Sequence, residues 1–168
     1  MNERTAKTCK ESLVIKTSRV FPLDTNHHNT LFGGKLMSYI DDVASISAAK
    51  HSRFDVVTAS TDSVDFLRPI RQTDSVSVTS YVSYVGRSSM EVFVKVIAED
   101  LKSGDRKLAA TSFLTFVALN EQGKPVQVPK VIPESDEEIM LYNTAPQRTK
   151  VRQERREHSE AFAAVVTL

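Results

Sequence analysis

The chain has 168 residues, 40% of them hydrophobic and 26% charged, with a net charge of +1. This is enough for one globular domain with a real core, and the near-neutral charge gives no reason to expect nucleic-acid or membrane binding through bulk charge, so any anion recognition must be local. Cys9 is the single cysteine, which excludes an intrachain disulfide and a cysteine-based metal site. With no apolar leader and no apolar run of membrane-spanning length, the plain expectation is a cytoplasmic protein.

Residues 1–11 are polar and offer little to bury, so they read as a flexible arm. From Ser12 to Phe21 a β-branched, partly alternating run predicts a strand ended by Pro22. The polar run Asp24 to Thr30 then leads through Phe32-Gly33-Gly34 into helical spacing. Leu36, Ile40, Val43, Ala44 and Ser47 make one face of a helix over about Gly34 to Ser52. Unpaired N–H groups at such a helix start, approached closely because Gly33 and Gly34 lack side chains, suit an oxyanion. Asp41 and Asp42 arrive about two turns further on, so one short segment can supply both an electrophilic pocket and a base.

Four strands follow: Val56 to Phe66, Ser75 to Val85, Ser89 to Asp100 and Lys107 to Leu119. In the third, Met90, Val92, Val94, Val96 and Ala98 share one face and Glu91, Lys95 and Glu99 the other. The fourth is apolar on both faces and reads as a central strand. Residues 120–131 are turn-rich, and Pro133 to Glu138 resembles the acidic first turn of another helix, which Pro146 should interrupt. Gln147 to Glu160 is rich in Arg, Lys and Glu, and its basic stretch from Arg148 to Arg156 reads most simply as a solvated face. The expected class is therefore α+β, an antiparallel sheet wrapped around a long central helix, with a C-terminal helical extension. One sheet around one helix leaves edges open, so at least a homodimer is expected.

Several segments carry a family resemblance in order: Asp24-Thr25-Asn26; Phe32-Gly33-Gly34 with Met37, Ser38 and Asp41; Val64 to Ile70; Val85 to Met90; and Thr115 to Ala118. With these the chain resembles the hotdog-fold acyl-CoA thioesterases, specifically the acyl-CoA hydrolase group. The resemblance divides the chain into an arm (1–11), a hotdog domain (12–132) and a C-terminal extension (133–168). It implies hydrolysis of acyl-CoA, expected to be medium- to long-chain, to free acid and CoA. No cofactor is expected, coenzyme A being part of the substrate. Sites at a dimer interface and a homohexamer built as a trimer of dimers are implied as well. Residue by residue, Asp41 matches the helix carboxylate acting as general base or nucleophile, and Asn26 the loop asparagine that works with it, in some members from the opposite subunit. Gly33 and Gly34 match the helix-start glycines beside the thioester carbonyl, and Arg87, Ser88 and Ser89 the turn near the phosphates of CoA. Departures lie at Asn29, Thr73 and Lys35, which leave the acyl preference open.

Helical geometry alone does not separate Asp41 from Asp42, since both flank the apolar stripe; only the matched register favours Asp41. Asn26 by itself also fits an Asx turn. The adjacent His27 and His28 lack the spacing of a metal site, so no metal is expected. Asp65 and Arg68 read as a structural ion pair. The rival function is a non-catalytic acyl-CoA-binding regulator on the same fold. Hydratase chemistry using a loop histidine is a second, enzymatic rival.

Overall fold

The structure is a computed structural model that describes residues 6–167. In chain order it contains β1 (Lys7–Thr8), β2 (Val14–Arg19), α1 (Gly33–Ser52), β3 (Asp55–Phe66), β4 (Asp74–Val85), β5 (Ser89–Asp100), β6 (Arg106–Leu119), β7 (Val131–Ile132) and α2 (Asp136–Ala163). Five strands form one antiparallel sheet in the order β2-β4-β5-β6-β3, and β1 pairs with β7 in a small parallel sheet. The strand after the first helix therefore lies at the far edge beside β6. Alternation fixes which face a residue shares, but says nothing of which strand stands next to it.

The helix stripe drives the packing. Leu36, Ile40 and Val43 are almost fully buried, each contributing about 1.5–3 kcal/mol of apolar burial. They meet the sheet face formed by Met90, Val92, Val94, Val96 and Ala98, all buried. The small residues of α1 allow close approach: Ser47 Oγ lies 2.7 Å from Ser80 Oγ, which donates to the carbonyl of Val43. α1 ends at Arg53, whose φ of 60° is left-handed, the conformation that commonly closes a helix.

The opposite sheet face is covered by α2. Its start is set by a capping box in which Glu138 N–H donates to Ser135 Oγ and Ser135 N–H donates back to the Glu138 carboxylate. Tyr81, opposite Phe93 in the ladder, donates to Glu137 at 2.8 Å, and Lys95 donates to the same carboxylate. Burial pushes Glu137 up, yet the bonds from Lys95 and Tyr81 win and hold it below the usual carboxylate value. Burial first, then this bond to Glu137, push the Tyr81 hydroxyl up.

Four expectations need correction. Residues 6–11 are not a loose arm: Cys9 is fully buried, and Ser12 Oγ donates to its carbonyl while accepting from Val82 N–H. Lys7 Nζ also donates to the carbonyls of Lys50 and His51, closing the end of α1. The rest of the expected arm, residues 1–5, lies outside the described residues. Pro146 does not interrupt α2, which runs on to Ala163. The proline removes the donor to Tyr142 O alone, and the neighbouring turn is held by side-chain bonds from Thr144 Oγ1 to Met140 O and from Arg148 Nη2 to Leu141 O. The basic stretch is not simply a solvated face. Arg148, Arg152 and Arg155 turn onto the sheet and pair with Glu91 and Asp62. Asp65 and Arg68 are both exposed and, among the described residues, form no ion pair with each other.

Candidate active site

The loop before α1 is organised by Asn26. Its Oδ1 accepts from His28 N–H at 2.9 Å and from Thr30 N–H at 3.3 Å, its backbone N–H donates to Thr30 O, and Asn29 closes the turn with a φ of 58°. In one protomer the Asn26 side chain is thus an Asx-type scaffold whose hydrogen bonds stay within its own loop. His27 and His28 are exposed, with ring centroids 3.9 Å apart. Leu31 N–H donates to Ile70 O, which anchors the loop on the connection between β3 and β4.

At the helix start no side chain caps α1, and among the described residues no acceptor meets the N–H groups of Gly33 or Gly34. The two glycines differ in what they permit. A Cβ at Gly34 would come within 2.6 Å of the Phe32 ring, whereas one at Gly33 would reach only ordinary contact, 3.6 Å from Phe66. Asn26, Thr30, Leu36, Gly33 and Phe66 line a cavity of about 380 Å³. Lys35 is engaged by Asp24 at 3.2 Å and lies over the Tyr39 ring, and the bond to Asp24 raises its pKa.

The two helix aspartates have different partners. Asp42 pairs with Lys16 on β2. Asp41, on the other flank, accepts at 3.0 Å from Thr58 Oγ1 on the edge strand β3, and both residues are exposed in the single protomer. Sequence reasoning missed Thr58. A signal existed: from Thr58 to Ser63 the chain reads TASTDS, six small or polar residues with no alternation, where β3 carries two single-residue bulges.

Arg87, Ser88 and Ser89 lie away from Asn26 and Gly33. Arg87 is exposed, while the carbonyls of Arg87 and Ser88 accept from Val128 N–H and Ala118 N–H. Ser89 lines a second cavity, of about 600 Å³, with Ser60, Thr115, Arg152 and Arg155 beneath α2. One protomer therefore brings Asn26 and Gly33 to one cavity and Asp41 to Thr58, and leaves Ser89 in another cleft. Among the described residues no cluster of three or more His, Cys, Asp or Glu has the arrangement of a metal site, and no helix is long and apolar enough to cross a membrane.

A thioesterase superfamily model matches residues 28–104. An uncharacterised acyl-CoA thioester hydrolase of Bacillus subtilis is 72% identical over 92% of this chain and 90% of its own. The crystal structure of an acyl-CoA hydrolase from Bacillus cereus superposes with a TM-score of 0.95 at 54% identity, covering 98% of this chain and all of the other. A Staphylococcus aureus acyl-CoA hydrolase, solved with butyryl coenzyme A, coenzyme A and coenzyme A disulfide, gives 0.91 at 51% identity over 95% and 97%. Single-alanine variants of that enzyme, replacing an aspartate, a threonine and an asparagine, match at 0.92 to 0.94. An acyl-CoA thioesterase solved as an apo-hexamer gives 0.87 at 45% identity over 90% and 97%.

Proposed function

The chain belongs to the thioesterase superfamily, among its hotdog-fold acyl-CoA thioester hydrolases, and from this premise we propose that Asp41 is the base or nucleophile that attacks the thioester. The observation carrying this reading is the Asp41–Thr58 hydrogen bond on an open flank of α1, while Asp42 is occupied by Lys16. The spacing agrees: the residues replaced by alanine in the Staphylococcus aureus enzyme follow one another as asparagine, aspartate and threonine at intervals of 15 and 17 positions. The same intervals separate Asn26, Asp41 and Thr58 here.

In this mechanism the carboxylate of Asp41 attacks the carbonyl carbon directly or takes a proton from the attacking water, with Thr58 fixing its orientation. The uncapped N–H groups of Gly33 and Gly34 receive the oxyanion as the carbonyl becomes tetrahedral. On the water route collapse breaks the C–S bond, the proton held by Asp41 passes to the CoA sulfur, and the free acid leaves. On the direct route collapse expels the thiolate and leaves a mixed anhydride on Asp41, which a water molecule then hydrolyses to the free acid and the Asp41 carboxylate while the released proton goes to the sulfur. No metal or organic cofactor enters the scheme.

A second copy completes the site. β3 is a twelve-residue edge strand whose ladder partner among the described residues is β6, and it exposes Val57 and Phe66, while Met37 is exposed on α1. Such an edge calls for covering, and a second copy laid along it would dry Asp41 and bring a second Asn26 loop toward it. Asn26 then orients water or substrate across the interface. Three such dimers give the hexamer, the assembly of a solved relative. Arg87, Ser88 and Ser89 meet the CoA phosphates, and the acyl chain, of medium to long length, runs along the apolar wall that begins at Leu36 and Phe66.

The test is thiol release from a series running from butyryl-CoA to palmitoyl-CoA, with Asp41→Asn, Asp42→Asn and Asn26→Ala. Loss of about 10²-fold or more in kcat for Asp41→Asn, with Asp42→Asn near the parent, is expected. Equal activity of Asp41→Asn and the parent, at unchanged oligomeric size, removes Asp41 from the mechanism. Preference for butyryl-CoA over palmitoyl-CoA removes the chain-length assignment.

A further inference from the structure

We infer that Asp62 is a positioning residue for this reaction: with Arg152 and Arg155 of α2 it holds the bulged segment of β3 in the shape that presents the Thr58 hydroxyl to Asp41. The inference rests on the reading of Asp41 and Thr58 given above.

In a regular strand Thr58, Ser60 and Asp62 would share one face. They do not. Thr58 stands opposite Phe116, which is fully buried in the core, and bonds Asp41 on the α1 side. Ser60 stands opposite Thr115, and Thr115 is itself opposite Glu91 on the α2 side. The reversal comes from the extra residue Ala59, where the ladder advances two positions on β3 for one on β6. A second extra residue follows, and it is Asp62 itself.

Asp62 ties this irregular stretch together. Its carboxylate accepts from Ser60 Oγ at 2.6 Å on its own strand and from Thr115 Oγ1 at 2.6 Å on the neighbouring one. It also accepts from Arg152 Nη1 at 3.3 Å and from Arg155 Nη2, while Arg155 Nη1 donates at 2.8 Å to its carbonyl. Its side chain is 12% exposed. Within the protomer the edge strand β3 has only the β6 ladder to resist slippage among the described residues. Here the second restraint comes from a helix on the other side of the sheet.

The test is a double-mutant cycle between Asp62→Asn and Thr58→Ala, read in kcat and KM for one acyl-CoA, with Arg155→Gln as an independent variant at the more exposed end of the clamp. Asp62→Asn keeps the shape but loses the charge that the arginines grip and one of the two acceptor oxygens, so that only one of the Ser60 and Thr115 hydroxyls can still donate to it. A displacement of about an ångström at a reacting group costs on the order of 10²-fold in rate. We therefore expect Asp62→Asn to lower kcat by about 10- to 100-fold with KM near the parent, Arg155→Gln to lower it in the same direction, and the Asp62→Asn effect to vanish once Thr58 is alanine. An equal loss in the Thr58→Ala background, or a kcat unchanged in Asp62→Asn, overturns the inference. The catalytic assignment fails separately: it falls if Asp41→Asn and Thr58→Ala turn over as fast as the parent.

Discussion

Replacing Arg148 with methionine isolates what fastens α2 to the sheet. The Glu91 side chain is 1% exposed. Arg148 donates to its carboxylate through Nε at 3.1 Å and Nη2 at 2.8 Å while lying over the Phe113 ring at 4.3 Å. Removing one partner of a buried pair costs about 3–5 kcal/mol, because the other charge is left without compensation. Arg152 at 3.5 Å and the hydroxyl of Ser83 at 3.0 Å remain, so the low end applies, about 3 kcal/mol, or a fall in Tm of roughly 6–12 °C for a chain of this size. Urea unfolding at one fixed protomer concentration reads the change, since an oligomer's apparent stability depends on concentration. Adding Glu91→Met to Arg148→Met should return part of the loss, because a buried pair replaced by apolar groups is often tolerated. A loss below about 1 kcal/mol, the range of an exposed ion pair, or a double variant weaker than the single one, refutes the reasoning.

Acid should weaken the fold through His51. Its ring is fully buried, Nε2 lies 2.9 Å from Pro129 O, and Nδ1 has no partner, so burial holds its pKa below the usual histidine value. The unfolded chain therefore binds the proton first. The stability from the neutral ring is intact above the unfolded pKa of about 6.5 and declines as pH falls from there toward the lower folded pKa, by at most about 1.4 kcal/mol per pH unit. Unfolding of His51→Gln followed from pH 8 to 5 should lack this component, and an unchanged pH slope counts against the assignment. Lys7→Ala removes the ammonium that closes the end of α1 and should cost about 1 kcal/mol in urea unfolding; no measurable change would show that water replaces it.

Much of the scaffold was legible because it is written in periodicity. The α1 stripe from Leu36 to Ser47 and the Met90 to Ala98 alternation fall where expected, and the Ser89 to Asp100 strand matches at both ends. What escaped depends on long-range partners. Glu91, Lys95 and Glu99 look alike in a strand pattern, yet only Glu91 is buried, because Arg148 and Arg152 come from a helix some sixty residues away. The site was half legible for the same reason. A loop, two glycines and an aspartate two turns on are local features, whereas what distinguishes Asp41 from Asp42 is their partners in space, Thr58 and Lys16. The bulges that turn Thr58 toward α1 have no period of their own.

The pairing of β1 with β7 sets an order of events. Lys7 stands opposite Val131 and Thr8 opposite Ile132, so the earliest strand residues acquire their ladder partner only after most of the chain exists. Contacts across so long a span form slowly, since chain closure must precede any gain from them. During synthesis, which proceeds from the N-terminus, Cys9 and Ser12 have the β2, α1 and β4 neighbourhood to settle against well before β7 emerges. The pairing of β1 with β7 is thus a late, sealing step, and a nascent chain halted before residue 131 leaves Lys7 and Thr8 without their strand.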